Sequence, residues 1–169
     1  DVFDVTLVQS LIGRERMNFV IEKSVEIGID RIIPVESQYS NIKRSKAIKE
    51  YGIWKKIIED ATEQSRNIKP TIIEKPINLR ELKIYNSINK ICLSTENTDS
   101  ISLGKYLKSA NIKNPLLFAI GPEKGWGSKD IEFFKENGFQ FVKLEGNILR
   151  SETAGLVIGS IIEFLKGNI

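Results

Sequence analysis

Histidine is absent from all 169 residues, which removes any His-dependent triad and most zinc sites. A single cysteine, Cys92, lies in an apolar segment, so an internal disulfide, a thiol-pair mechanism and a cysteine metal cluster are all excluded. Acid–base work is left to carboxylates, lysine or tyrosine. Long apolar runs are missing too. The longest, Leu156 to Ile162, is interrupted by Gly159 and Ser160 and closed by Glu163, far short of the roughly 20 residues of a membrane span. With no signal-peptide pattern either, a reducing, cytoplasmic setting is the expectation. Repeats, low-complexity tracts and internal linkers are also lacking. The chain opens on Asp1, and its only methionine is Met17, so it reads as a trimmed piece. A net charge of +3 is too small to identify a partner by itself.

What is present is an ordinary globular composition, 41% hydrophobic and 28% charged, enough for one well-filled core. Val2 to Val8 alternates like a strand. Met17, Val20, Ile21, Ser24, Val25 and Ile27 then recur at helical spacing, with Gly28 as the stop. Arg31 to Val35 reads as a short strand, and strand–helix–strand favours a parallel pair. Glu36 to Lys46 reads as a polar loop. Ile53, Trp54, Ile57, Ile58 and Ala61 mark a helix that ends before Pro70. Thr71 to Ile73 predicts a weak strand, Leu79 to Tyr85 a short helix or turn, Lys90 to Leu93 a strand and Ile101 to Leu107 a helix. Strands and helices alternate throughout, as in a layered α/β domain.

Two strand-to-helix turns near the carboxyl end carry the chemistry. The strand Leu116 to Ile120 breaks at Gly121-Pro122-Glu123-Lys124-Gly125-Trp126-Gly127, with Ser128 as the expected cap of a helix to about Asn137, closed by Gly138. The strand Phe139 to Leu144 leads through Glu145-Gly146-Asn147-Ile148-Leu149-Arg150-Ser151-Glu152-Thr153 into a helix running from Ala154 to Leu165. Both loops are expected at the carboxyl ends of adjacent strands, where open α/β sheets bind ligands. Glycines there let backbone approach a ligand. The first loop fails as a P-loop, since Trp126 follows Gly125 where Lys would be needed, and as a dinucleotide fingerprint, since Pro122 lies inside it. Ser151 or Thr153 suits a helix cap. Arg150 has two readings: an ion-pair partner for Glu123, Glu145 or Glu152, or a guanidinium for an anionic ligand oxygen or a phosphate. The last helix has Ala154, Val157, Ile158, Ile161 and Leu165 on one face and Leu156, Ile162 and Phe164 on others, so it is expected to be buried from several sides.

Gly121-Pro122-Glu123 with Gly125, then Leu144-Glu145-Gly146 and Ile148 to Ala154, resemble the RsmE family of SPOUT-superfamily methyltransferases. Lys23, Glu26, Gly28, Pro34 and the run Glu63 to Asn67 match as well. The resemblance implies an α/β SPOUT fold with a parallel sheet, helices on both faces and a C-terminal trefoil knot, a rare exception to the rules of chain connection. It covers residues 1–169 as the methyltransferase domain, and the family's N-terminal PUA-like RNA-binding domain is expected to be missing. The implied activity is S-adenosylmethionine-dependent methylation of N3 of a uridine in 16S rRNA of the 30S subunit, uridine 1498 in the usual numbering. The implied cofactor contacts are Leu93, Ser94 and Thr95; Gly121, Pro122, Glu123 and Gly125; and Leu144, Gly146, Ile148, Leu149, Thr153 and Ala154.

Arg150 is then the leading catalytic candidate, stabilising the uracil anion, with Glu123 or Glu152 as proton acceptor. Arg66, Lys124 and Arg150 are expected RNA contacts, no metal is expected, and the last helix is expected to pair two copies. Three positions depart from the family pattern: Lys124 for a second glycine, Trp126 for phenylalanine or leucine, and Gly127 for a Ser or Thr cap. Alternatives are methylation of another rRNA or tRNA position, an RNA-binding module without catalysis, and an unrelated nucleotide-binding protein.

Overall fold

A computed structural model describes residues 3–97 and 99–169. β-Branched and aliphatic runs supply the strands: β1 (Val5–Ser10), β2 (Arg31–Glu36), β3 (Ile72–Ile73), β4 (Ile77–Asn78), β5 (Asn89–Leu93), β6 (Ile101–Ser102), β7 (Leu116–Ile120) and β8 (Gln140–Lys143). They form one sheet in the order β3-β2-β1-β7-β5-β8-β6, with β4 also paired to β2, and every pairing is parallel. A parallel sheet needs both faces covered. Alternate side chains divide accordingly. Val5, Leu7, Leu116, Phe118 and Ile120 point to one core, which α1 (Arg14–Ile27), α3 (Tyr51–Ser65), α4 (Leu103–Ser109) and α6 (Ser151–Lys166) cover. Val8, Leu117 and Ala119 point to the other, with Cys92, under α5 (Ser128–Glu136) and a 3-10 segment, Leu79–Ile84. Burial pushes the Cys92 thiol well above its ordinary value, so it stays protonated and inert.

Several sequence expectations shift. Val2 lies outside the described residues, and the first strand spans Val5–Ser10. The polar stretch read as loop to Lys46 turns helical at Arg44, forming α2 (Arg44–Ala47), because Ala47 is buried in the first core. β4 follows Pro76 unforeseen, a two-residue edge strand too short to leave a periodic signal. Ile101 and Ser102 pair with β8 before α4 begins, and the Ser102 hydroxyl caps that helix by accepting from the Lys105 amide at 3.2 Å. The most consequential difference is that the strands before the two glycine loops, β7 and β8, are not neighbours, since β5 lies between them. Strand order is set by long-range pairing that local patterns do not encode.

α6 starts one turn earlier than expected, and Arg150 occupies its N-cap position without a side-chain cap. Its buried face within one copy is Ser151, Ala154, Gly155, Ile158, Gly159, Ile162 and Glu163, while Phe164 and Leu165 are exposed, so the core of a single copy covers it on one side. Among the described residues, no helix is long and apolar enough to cross a membrane.

At the amino-terminal sheet edge, Lys166 donates to an Asp4 carboxylate oxygen at 2.7 Å, and Lys69 lies 2.8 Å from Asp30. Glu163 beside them is 1% exposed and, among the described residues, accepts from the Asn168 side chain alone, at 2.7 Å. Burial, with Asp30 and Asp4 adding repulsion against the Asn168 bond and Lys166, pushes its carboxyl from an ordinary 4.5 to about 7. A carboxyl that holds its proton more tightly when folded contributes stability below its unfolded value and loses it as pH rises through the folded value. Unfolding free energy should therefore fall by up to about 3 kcal/mol between pH 5 and 8, and Glu163→Gln should flatten that limb. Urea titrations across the range would measure both.

Candidate active site

A parallel sheet delivers every strand end to one edge, and here three neighbouring strands deliver three loops. The segments after β5 (Ser94 to Asn97), β7 (Gly121 to Trp126) and β8 (Leu144 to Arg150) line a cleft of ≈ 770 Å³. Arg16, from the first turn of α1, closes one side.

Each loop is fastened by identifiable bonds. Trp126 donates its indole N–H to the Leu93 carbonyl at 2.9 Å, joining the β7 loop to the end of β5. Its ring lies 4.7 Å from Phe134 in an edge-to-face pair, within an aromatic group that includes Phe133, Phe139 and Phe141. Gly121 is required by that packing, because a Cβ there would meet the indole at 3.1 Å. The Ser151 hydroxyl donates to the Gly121 carbonyl at 2.7 Å and accepts from the Gln9 amide at 3.0 Å, binding the start of α6 to the β7 loop and to β1. Ser151 is thus a staple between loops, not the helix cap expected of it. Nor does Ser128 cap α5: Gly127 is the N-cap, and buried Asp130 reaches back to its amide at 2.9 Å. The other Asp130 contact, with the Gln38 amide at 3.1 Å, ties in the segment after β2.

Gly125 and Gly146 have φ of +77 and +112, and open space lies where a side chain would project. Backbone therefore faces the cleft at both turns. Ile148 stands in the cleft wall 93% exposed, with Leu93, Ile120 and Leu149 beside it. An exposed aliphatic side chain among accessible amides and carbonyls suits a ligand with both a flat apolar ring and polar edges.

The charged groups pair differently from the sequence expectation. Arg16 lies 3.8 Å from both Glu123 and Glu152, and Lys143 lies 3.8 Å from Glu145. Among the described residues, none of these carboxylates pairs with Arg150, which is exposed on the cleft wall. One Glu152 oxygen is buried without a hydrogen bond, so the carboxylate depends on Arg16 for compensation.

Of the sequence-derived positions, Leu93, Ser94, Thr95, Gly121, Pro122, Glu123, Lys124, Gly125, Leu144, Gly146, Ile148, Leu149, Arg150 and Ala154 meet in this cleft. Thr153 is exposed outside it, and Glu152 stands behind the wall against Arg16. Arg66 lies apart, ending α3 in a left-handed conformation at the opposite sheet edge, where Asn67 bonds to Val25. Sequence reasoning passed over Arg16 and Gln9. Arg16 sits three residues after Gly13 with no motif around it, and Gln9 hides inside an apolar strand, its one signal being a polar side chain at a buried position. Among the described residues, no cluster of three or more His, Cys, Asp or Glu side chains is placed to hold a metal.

Fold and cleft together define a class. The family model described as "RNA methyltransferase domain" matches residues 1–163. Ribosomal RNA small subunit methyltransferase E of Aquifex aeolicus is 32% identical over 161 residues, covering 94% of this chain and 68% of that protein. Its namesake in Synechocystis is 29% identical over 155 residues, covering 90% and 50%. A crystal structure of the Neisseria gonorrhoeae methyltransferase of the same name, bound to S-adenosyl methionine, superposes with a TM-score of 0.84 at 31% identity, covering 96% of this chain and 66% of that one. The chain belongs to the RsmE family of RNA methyltransferases, with their SPOUT-type α/β fold. It spans between half and about two thirds of the length of these relatives.

Replacing Ser151 with Ala removes the staple and leaves one N–H of the buried Gln9 amide unpaired, the other still donating to the Ser10 carbonyl at 3.0 Å. A stability loss of about 1–3 kcal/mol is expected, measured by chemical denaturation.

Proposed function

We propose that this chain transfers the methyl group of S-adenosylmethionine to N3 of a uridine in the 16S rRNA of the small ribosomal subunit, in the cytoplasm. The observation that carries the reading is the cleft itself: three loops from neighbouring strand ends, bare backbone at Gly125 and Gly146, and on its wall an exposed Arg150 that has no carboxylate partner among the described residues. The relatives' names and the cofactor in the Neisseria gonorrhoeae structure support the same direction.

The residues present fit the cofactor. Ile148, Leu149 and Leu93 offer apolar surface to adenine, and the backbone of 94–95, 121–125 and 144–146 offers donors and acceptors to its edge. Ala154 closes the floor, while Thr153 supports the wall from outside. When bound, the cofactor supplies a methyl group activated by a positively charged sulfur.

The chain must then make uracil N3 nucleophilic. That nitrogen carries a proton, and its lone pair attacks the methyl carbon only once the proton has left. Arg150 donates to O2 or O4 and stabilises the negative charge that deprotonation leaves on the ring. Glu123 or Glu152 accepts the proton, the first lining the cleft and the second behind its wall, both 3.8 Å from Arg16. Lys124, exposed on the rim, contacts RNA phosphate there. Arg66, at the far edge, serves RNA only where the particle wraps beyond the cleft.

Two further parts of the reading are architectural. The return of α6 from beyond β5 to pack on β1 and β7 is compatible with a trefoil knot at the cleft. The exposure of Phe164 at 67% and Leu165 at 45% supports pairing of two copies through α6.

Arg150→Ala should lower kcat on 30S particles lacking the modification by about 10²–10³-fold with cofactor affinity retained, as for loss of one donor to a developing anion. Turnover at the wild-type rate, measured by methyl incorporation beside calorimetry with S-adenosylmethionine, overturns the assignment. Comparing Glu123→Gln with Glu152→Gln identifies the proton acceptor by which one loses turnover and keeps binding.

A further inference from the structure

Positive charge is not spread evenly along this chain. Residues 41–56 hold six Lys and Arg against one Glu, a net +5 in a chain whose total is +3, so the remainder is net negative. That single anion, Glu50, is itself paired with Arg14 at 3.3 Å.

Within this stretch Lys43, Lys46 and Lys49 follow at three-residue spacing. The backbone stays helical from Arg44 to Ser65, passing through a 3-10 turn at Ile48–Glu50. Lys43 is the N-cap, Lys46 lies in α2 and Lys49 in the 3-10 turn, so successive lysines follow roughly one turn apart, on the order of 5–6 Å of rise. All three lysines are exposed, and among the described residues none has a carboxylate within ion-pair distance. Lys23, by contrast, is flanked by Glu22 and Glu26 at 3.1 and 3.0 Å, and Lys56 lies 3.1 Å from Asp60, whereas the other helix lysines unpaired among the described residues, Lys55, Lys105, Lys108 and Lys129, do not form a run of three. The ridge is therefore a local excess of charge. Neighbouring members stand within a Debye length of about 8 Å of one another.

Placement ties the ridge to the cleft. The segment after β2 leaves the same sheet edge, where the Asn41 amide donates to the Leu11 carbonyl at 3.0 Å. Arg14, bound to Glu50, opens α1, and Arg16 two residues on lines the cleft. Gln38, at the start of this segment, is bonded to Asp130 beside the β7 loop. The ridge is thus joined to the cleft's sheet edge by the segment after β2 and by Glu50, which pairs with Arg14 at the start of α1.

We propose that this ridge is the track for the RNA phosphate backbone flanking the nucleotide in the cleft, an inference that rests on the methyltransferase reading above. Ammonium groups are compact point charges without the planar fork that reads base edges, so the track holds backbone irrespective of sequence. It positions the strand and leaves selection of the nucleotide to the cleft.

The test is filter binding of this chain to 30S particles lacking the modification, over about 50 to 200 mM salt, with cofactor affinity measured alongside by calorimetry. In Lys43→Gln/Lys46→Gln/Lys49→Gln the slope of log affinity against log salt should become shallower by about 2, each lost phosphate contact contributing roughly 0.7–0.9. Affinity at low salt should fall at least about tenfold, with binding of S-adenosylmethionine unchanged. The control is Lys83→Gln/Lys129→Gln, which removes two charges from a separate shallow groove on the α5 face and should leave the slope unchanged. An unaltered slope in the triple variant overturns the track, and so does an equal loss per lysine in the control, which would mean bulk charge alone. If the unaltered chain binds the particle through this ridge yet takes up no S-adenosylmethionine, the methyltransferase reading falls while the track stands.

Discussion

Because every strand pair in this sheet is parallel, the chain must carry each connection back across a face, and every strand releases its following loop at the same edge. That constraint makes one rim chemically rich and leaves the other to structural work. Three loops converge at β7, β5 and β8, although they are separated by long stretches of sequence. At the opposite edge, Asp4, Asp30, Glu163, Lys69 and Lys166 form a network around the end of α6. The same helix therefore has one end stapled to the cleft through Ser151 and the other held by buried charge.

Electrostatics within the cleft follow from one substitution of partners. Arg150 is the guanidinium that a motif-based reading notices, and its obvious structural role is to neutralise the neighbouring carboxylates. Arg16 performs that role instead, arriving from a helix more than a hundred residues earlier. Among the described residues Arg150 has no counter-ion, and such a cation at a partly apolar wall favours an anionic guest. Glu152, with one oxygen lacking a hydrogen bond, has Arg16 at 3.8 Å as its one charged partner among the described residues.

The elements with strong periodicity were legible from the residues. β1, α1, β2, α3, β7 and α5 lie close to where apolar spacing puts them, and most positions drawn from the two loop motifs share the cleft. What was not legible depends on contacts distant in sequence. β5 inserts between β7 and β8 because Ile91 and Cys92 find partners on both sides, which no local pattern announces. The face of α6 was misjudged because its start was placed at Ala154. Beginning at Ser151, the buried line runs through Ile162 and Glu163 and leaves Leu165 in solvent. Asp130 was overlooked as a cap since its carboxylate reaches back from the third helical position to an N-cap residue, Gly127, that has no side chain.

Trp126 gives the molecule an optical consequence. It is one of two tryptophans, and the other, Trp54, is sealed in the core on the far face of the sheet at 1% exposure. The Trp126 indole lines the cleft, hydrogen-bonded to one loop and stacked on the glycine of another. A guest entering between those loops changes the polarity around that ring and leaves Trp54 untouched. The protein thus carries a native fluorophore at the mouth of its own cleft, and occupancy is readable from emission without a label.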